Sequence, residues 1–236
     1  PITSPITGQI FFHEALLRLF LPGADAPARA AAFIQRISAA GLSYDVDRFV
    51  LQKSCEAMRE YPDLILSANL HASSLCNLNL IDTVEQLLAS HGIGASRLIL
   101  EVTETEPISN FEQARTIMTR LRLMGCRFAL DDFGAGFSPL RYLKTLPVDL
   151  LKIDGFFIHD LSDEPYNQAI LRSIQEISHY AGIQTVAEKV ENERELAAAV
   201  SLGVDYVQGF LLAKPRATPY RPEEIEFAFP AAAALK

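Results

Sequence analysis

Residues 109–136 read SNFEQARTIMTRLRLMGCRFALDDFGAG, and the change of period inside this stretch decides the fold. Phe111, Ala114, Ile117, Met118 and Leu121 recur at three- and four-residue spacing, which is one face of a helix. Ser109 and Asn110 are candidate caps and Gly125 a candidate stop, so the spacing predicts a helix over 109–124. The run from Cys126 to Leu130 is too short for a helix, and Asp131, Asp132 and a glycine-rich turn follow it. It reads as a buried strand over 126–131.

The same alternation extends in both directions. Strands are predicted over 8–16, 64–70, 97–103, 126–131, 149–153, 183–187 and 204–208. Helices are predicted over 27–40, 44–60, 80–91, 109–124, 164–181 and 191–201. Repeated strand–helix units imply a mostly parallel sheet. With 236 residues and no obvious linker, one closed α/β barrel of the TIM type is favoured over an open sheet. The stretch 21–31 reads as a loop entering a helix, and the chain from 213 onward as an irregular end with one short helix.

The strand ends carry the chemistry. Glu14, Glu101, Asp131 and Asp132, Lys152 and Asp154, and Glu188 and Glu191 all stand at or just past apolar runs, as does Asn69. In such a barrel the C-terminal strand ends converge on one mouth. Two like charges about 4 Å apart repel by roughly 4 kcal/mol at an effective dielectric of 20. Carboxylates gathered there need cations, and the simplest reading is a site for several metal ions. Ligands of Asp, Glu and Asn type suit hard cations, Mg²⁺ or Mn²⁺. Adjacent aspartates on a straight strand point to opposite sides, so Asp131 and Asp132 share a site only where the chain bends, which Gly134 and Gly136 permit. Lys152, in an otherwise apolar strand, either snorkels or meets the acidic group. Arg18 could hold a phosphate oxygen, and Gln208 is ambiguous alone.

Composition narrows the classes. Lys plus Arg is 21 against 29 for Asp plus Glu, a formal charge of −8, which argues against a general binder of DNA or RNA polymers. Cys55, Cys76 and Cys126 are odd in number and far apart, so neither a disulfide framework nor a zinc knuckle is expected. The five histidines lack HxxxH or HExxH spacing. Neither a Walker-type phosphate loop nor a Rossmann fingerprint is present, and the kinase partners of an Asp-Phe-Gly motif are missing. The chain starts at Pro1, so residues 1–236 are expected to be one domain of a longer signalling protein, located in the cytoplasm or on the cytosolic side of a membrane.

Seven pieces in order carry a resemblance: EALLR, the NL of NLHASSL, EVTET, DDFGAGFSPL with YLKTLPVD, LKID, AEKVE and QGFLLAKP. Together they resemble the EAL-domain family of cyclic di-GMP phosphodiesterases, from about residue 6 to about residue 216. The resemblance implies a (β/α) barrel with one strand of unusual direction and two divalent cations. It implies one cation held by Glu14, Asn69, Glu101 and Asp131, and another by Asp131, Asp132 and Glu188. It makes Lys152 the residue that orients the attacking water and a phosphate oxygen, with Asp131 and Glu188 also catalytic. Arg18 matches a substrate-phosphate contact, Gln208 and Glu191 supporting positions, and Glu104 a brace for the DDFGAG loop, which in the family joins the site to a dimer interface. Asp154 matches the family's KID aspartate, with its role open. The implied product is the linear dinucleotide pGpG, with Ca²⁺ an inhibitor and a homodimer as the working form.

The chain departs from the family pattern at Lys189, where glycine is usual, at Ala135 for threonine and at His71 for serine. If position 189 needs φ above zero, lysine is strained there. Lys189 motivates one alternative to the esterase, a catalytically weak or inactive cyclic di-GMP receptor that signals through a partner or dimer. A separate one is an aldolase- or enolase-type barrel, which needs a Schiff-base lysine, with Lys152 the only strand lysine available, or a different acid/base pair.

Overall fold

The computed structural model describes residues 1–20, 23, 27, 30–103, 107–134 and 139–225. Eight strands close into a barrel in sequence order: β1 (Ile2–Thr3), β2 (Ile10–Ala15), β3 (Leu66–Leu70), β4 (Leu98–Thr103), β5 (Arg127–Phe133), β6 (Leu150–Ile153), β7 (Gln184–Ala187) and β8 (Tyr206–Val207). Strand β1 runs antiparallel to both β2 and β8, and every other neighbouring pair is parallel. The strand of unusual direction is therefore the first, a two-residue piece too short to leave a periodic signal.

Helices α1 (Ala30–Ala39), α2 (Ser43–Glu60), α3 (Asn79–His91), α4 (Phe111–Met124), α5 (Pro139–Thr145), α6 (Gly155–Ile158), α7 (Pro165–Ala181) and α8 (Glu193–Ser201) connect the strands. The predicted stretch 109–124 is α4, with the Asn110 side chain accepting from Gln113 N–H at its start and Gly125 left-handed at its end. Its predicted face is the buried one: Ala114, Ile117, Met118 and Leu121. Helices α5 and α6 were not foreseen, because seven and four residues are too few for a helical period to show. Among the described residues past 213, one short 3₁₀ turn, Pro222–Glu224, corresponds to the expected short helix. Among the described residues no helix is long and apolar enough to cross a membrane.

Two apolar layers make the core. The larger lies between strands and helices, and includes Leu66, Leu98, Leu100, Phe128, Leu130 and Leu151. The smaller fills the barrel: Ile2, Phe12, Ile99, Ala129, Leu150 and Val186. Side chains alternate along a strand, so the residue two positions after each inward apolar residue also points inward. Counting two onward from Phe12, Ile99, Ala129, Leu150 and Val186 reaches Glu14, Glu101, Asp131, Lys152 and Glu188. The apolar floor and the polar mouth are thus successive layers of one barrel interior.

Candidate active site

The mouth of the barrel holds Lys152 inside a ring of carboxylates. Its Nζ lies 2.9 Å from Glu101 Oε2, 2.9 Å from Asp131 Oδ1, 2.9 Å from Glu188 Oε1 and 3.5 Å from Glu14 Oε2. Lys152 and Glu101 are fully buried. The chain therefore supplies one of the cations that the acidic group needs, and Lys152 meets the acidic group rather than snorkelling. Burial alone would pull the ammonium toward neutrality, but Glu101, Glu14, Glu188 and Asp131 outweigh it and hold it protonated. A protonated amine is a poor nucleophile, so the ring of carboxylates counts against the Schiff-base alternative.

One ammonium does not balance these carboxylates. Burial pushes Glu101 up to about 8 despite Lys152, with Glu14 and Asp131 adding to the rise. Burial likewise lifts Glu188 to about 8, partly opposed by Lys152. Burial acts on Glu14 too, but Lys152 and hydrogen bonds outweigh it and leave its pKa lowered. Those bonds come from Gln208 Nε2 to Glu14 Oε2 at 2.7 Å and from Asn69 Nδ2 to Glu14 Oε1 at 3.2 Å. Gln208, which the sequence left ambiguous, thus fixes the first carboxylate from the other end of the chain.

Asp131 and Asp132 do reach one site, and the bend lies at Asp132 itself. Its φ is +52°, in the left-handed region that non-glycine residues seldom adopt, while Gly134 follows at +99°. The strand runs on to Phe133, two residues beyond the predicted end, with its pairing to β6 irregular between Leu130 and Phe133. The expectation placed the bend on the glycines. Gly136 lies outside the described residues.

Two groups of carboxylates can hold a cation: Glu14, Glu101 and Asp131, and Asp131, Asp132 and Glu188. Within each, the ligand oxygens lie within 4.8 Å of one another, and Asp131 belongs to both. Glu101 Oε1 and Gln208 Oε1 are buried oxygens without a hydrogen-bond partner, and Asp131 Oδ1 makes no well-aligned hydrogen bond although the Lys152 ammonium lies 2.9 Å away. Glu101 Oε1 and Asp131 Oδ1 are carboxylate oxygens of the kind hard cations take, and Asp131 lies among the other carboxylates with Lys152 as its cationic partner. The donor set therefore fits divalent cations.

The remaining expected residues fall outside this ring. Arg18 is exposed and donates to Leu17 O. Glu191 is exposed, and its backbone N–H donates to Glu195 Oε2. Asp154 caps α6 through Phe156 N–H and receives Lys189 Nζ at 2.6 Å. Position 189 does take a positive φ, +53°, yet Glu188 still faces Lys152. Glu104 and Ala135 lie outside the described residues. One supporting residue went unseen: buried Asp47 accepts from His71 N–H at 2.9 Å and meets His71 Nδ1 at 2.7 Å, just past Asn69. Its signal was a carboxylate in the buried row Ser43, Asp47, Leu51 of a helix.

These features define a class: a closed barrel presenting a lysine–carboxylate centre, able to hold cations, at the C-terminal ends of its strands. The family model described as EAL domain matches residues 1–215, and the chain belongs to that family. It is 36% identical over 231 residues to the cyclic di-GMP phosphodiesterase PdeF of Escherichia coli (strain K12), covering 95% of this chain and 31% of that protein. It is 33% identical over 219 residues to the cyclic di-GMP phosphodiesterase PdeB of Shewanella oneidensis, covering 90% and 25%. The chain thus spans about a third or less of these relatives. Among solved structures it resembles the PaMucR phosphodiesterase in its c-di-GMP complex, with TM-score 0.81 and 32% identity over 91% of this chain and 89% of that one. The c-di-GMP-bound EAL domain of FimX from Pseudomonas aeruginosa gives 0.83 and 29% over 91% and 88%.

Proposed function

We propose that this chain hydrolyses cyclic di-GMP to linear pGpG, using two divalent cations, Mg²⁺ or Mn²⁺. The observation that carries the reading is Asp131, shared between two adjacent carboxylate groups. Glu14, Asn69, Glu101 and Asp131 would hold one cation, and Asp131, Asp132 and Glu188 the other. Bound there, such a pair supplies Lewis-acid charge and lowers the pKa of a water toward neutrality.

The chain's own residues do the rest. The Lys152 ammonium, held protonated, places a fixed positive charge beside the reacting phosphodiester and donates to the attacking water or a phosphate oxygen. Gln208 and Asn69 lock Glu14 from both sides, so the first group is formed before substrate arrives. Arg18, a few residues past the end of β2, contacts a substrate phosphate, as its match to the family implies. The working form is a homodimer, and regulatory domains lie elsewhere in the full-length protein.

The test is incubation with cyclic di-GMP in Mg²⁺ or Mn²⁺, with Ca²⁺ as control, and chromatographic detection of pGpG. Product with Mg²⁺ or Mn²⁺ and none with Ca²⁺ is expected, and Glu14→Ala or Asp131→Ala should abolish it. Full activity in either variant removes the metal assignment. Cyclic di-GMP binding without product, under saturating metal, converts the reading to a receptor.

A further inference from the structure

Lys189 lies beside the site and the proposed chemistry does not use it. It holds φ at +53°, one residue after Glu188, and its ammonium reaches back to Asp154 Oδ2 at 2.6 Å. The stem is seated as well. A Cβ added to Gly155 would lie 2.5 Å from Lys189 Cδ and 2.7 Å from its Cβ, so the glycine leaves the space the lysine occupies. The side chain is 62% exposed yet held at its backbone, its stem and its tip. Its charge also bears on Asp132 and Glu188, where burial remains the larger influence on Asp132. Asp154 in turn adds negative charge beside Asp132. The outer edge of the second carboxylate group therefore carries an additional acid and an additional cation, locked to each other.

We propose that Lys189 is a tethered cation that occupies Asp154 and limits how tightly the Asp131, Asp132 and Glu188 group holds a divalent ion. The inference rests on the metal-binding reading above and adds a residue that sets its affinity. Without the ammonium, Asp154 is an unpaired carboxylate next to the group, and the local field becomes more negative. A divalent ion then binds more tightly, and its second charge doubles the effect felt by a single one. Lys189 acts through Asp154 and through the field; it is a positioning residue and not a catalytic one.

Equilibrium Mn²⁺ binding to the metal-free chain, measured by calorimetry at fixed pH and ionic strength, tests this directly. Lys189→Met keeps the stem and removes the charge, and it should tighten the weaker Mn²⁺ site by on the order of fivefold. Lys189→Arg should leave it within about twofold of wild type. Gly155→Ala, which displaces the stem without changing either charged group, should tighten it as Lys189→Met does. A purely structural lysine would lower unfolding temperature without tightening the site. If Lys189→Met fails to fold, Lys189→Gly removes the charge and relieves the left-handed backbone, and the same tightening is expected. Equal or weaker Mn²⁺ binding by the uncharged variant overturns the inference alone. Absence of Mn²⁺ binding by wild type overturns the metal reading, and this inference with it.

Discussion

At the scale of single residues, Lys152 decides the character of the site. It is buried among Glu14, Glu101, Asp131 and Glu188, and removing one partner of a buried ion pair leaves charges that nothing offsets. Lys152→Met should lower the unfolding free energy of the metal-free protein by about 3–5 kcal/mol in urea titrations. Turnover in saturating metal should fall on the order of 10²–10³-fold. Unchanged urea stability would show that the ring does not depend on this ammonium. The pH dependence follows from Glu101 and Glu188, each pushed to about 8 by burial from a usual 4.5. Between those values the folded state holds protons that the unfolded chain releases. The contribution of these groups is fully present below about pH 4.5 and is lost as pH rises toward 8. Thermal unfolding in chelator should therefore show the metal-free protein weakening from about pH 5 to 8. Added Mn²⁺ should restore most at the alkaline end, where the ligands ionise. A melting temperature that climbs through that window in chelator would contradict the raised carboxyls.

At the scale of elements, the segment after β7 is pinned from several sides. Val190 N–H donates to Gln208 O, Leu211 N–H donates to Val190 O, and Glu191 N–H donates to Glu195 Oε2. Gly209 permits this closeness, since a Cβ there would lie 2.0 Å from Val190 O. Gly209→Ala must push Val190 away, and with it Glu188 two residues earlier and Gln208 beside it. Turnover should drop by at least about tenfold, an effect of misplacement rather than of lost chemistry. A variant with wild-type kcat and KM would show that this contact does not position the site. At the other end of the barrel, Arg97 ties the entry to β4 by donating to the carbonyls of Met58, Tyr61 and Leu64. These bonds hold α2 and the approach to β3 against the strand that delivers Glu101.

At the scale of the whole molecule, the barrel interior is a small apolar floor beneath a charged mouth. Phe12 is 1% exposed and is the largest member of that floor, lying two residues before Glu14. Phe12→Ala should cost about 3–5 kcal/mol in urea unfolding of the Mn²⁺-loaded protein. It should also weaken metal binding, because the strand that carries Glu14 loses its packing. A stability change under about 1 kcal/mol would mean that the floor collapses to refill the space.

Much of this was legible in the chain. The alternation of periods placed seven strands and six helices, because apolar faces at spacing two or near 3.6 reflect which side of each element is buried. The polar tips were legible for the same reason: Glu14, Glu101, Asp131, Lys152 and Glu188 each follow an apolar run that has no local use for a charge. Short elements such as β1, α5 and α6 left no period, since their conformation is set by neighbours in space. The left-handed backbone at Asp132 and Lys189 was likewise a tertiary outcome, because local preference runs against it. What the residues alone determined was a mostly parallel barrel with acids at its mouth. Closure of the barrel decided that Lys152 neutralises that mouth, that Gln208 reaches Glu14 across 194 positions, and that Lys189 is bound to Asp154. Electrostatic pairing depends on distances of a few ångströms, and between residues far apart in the chain only the closed sheet sets them.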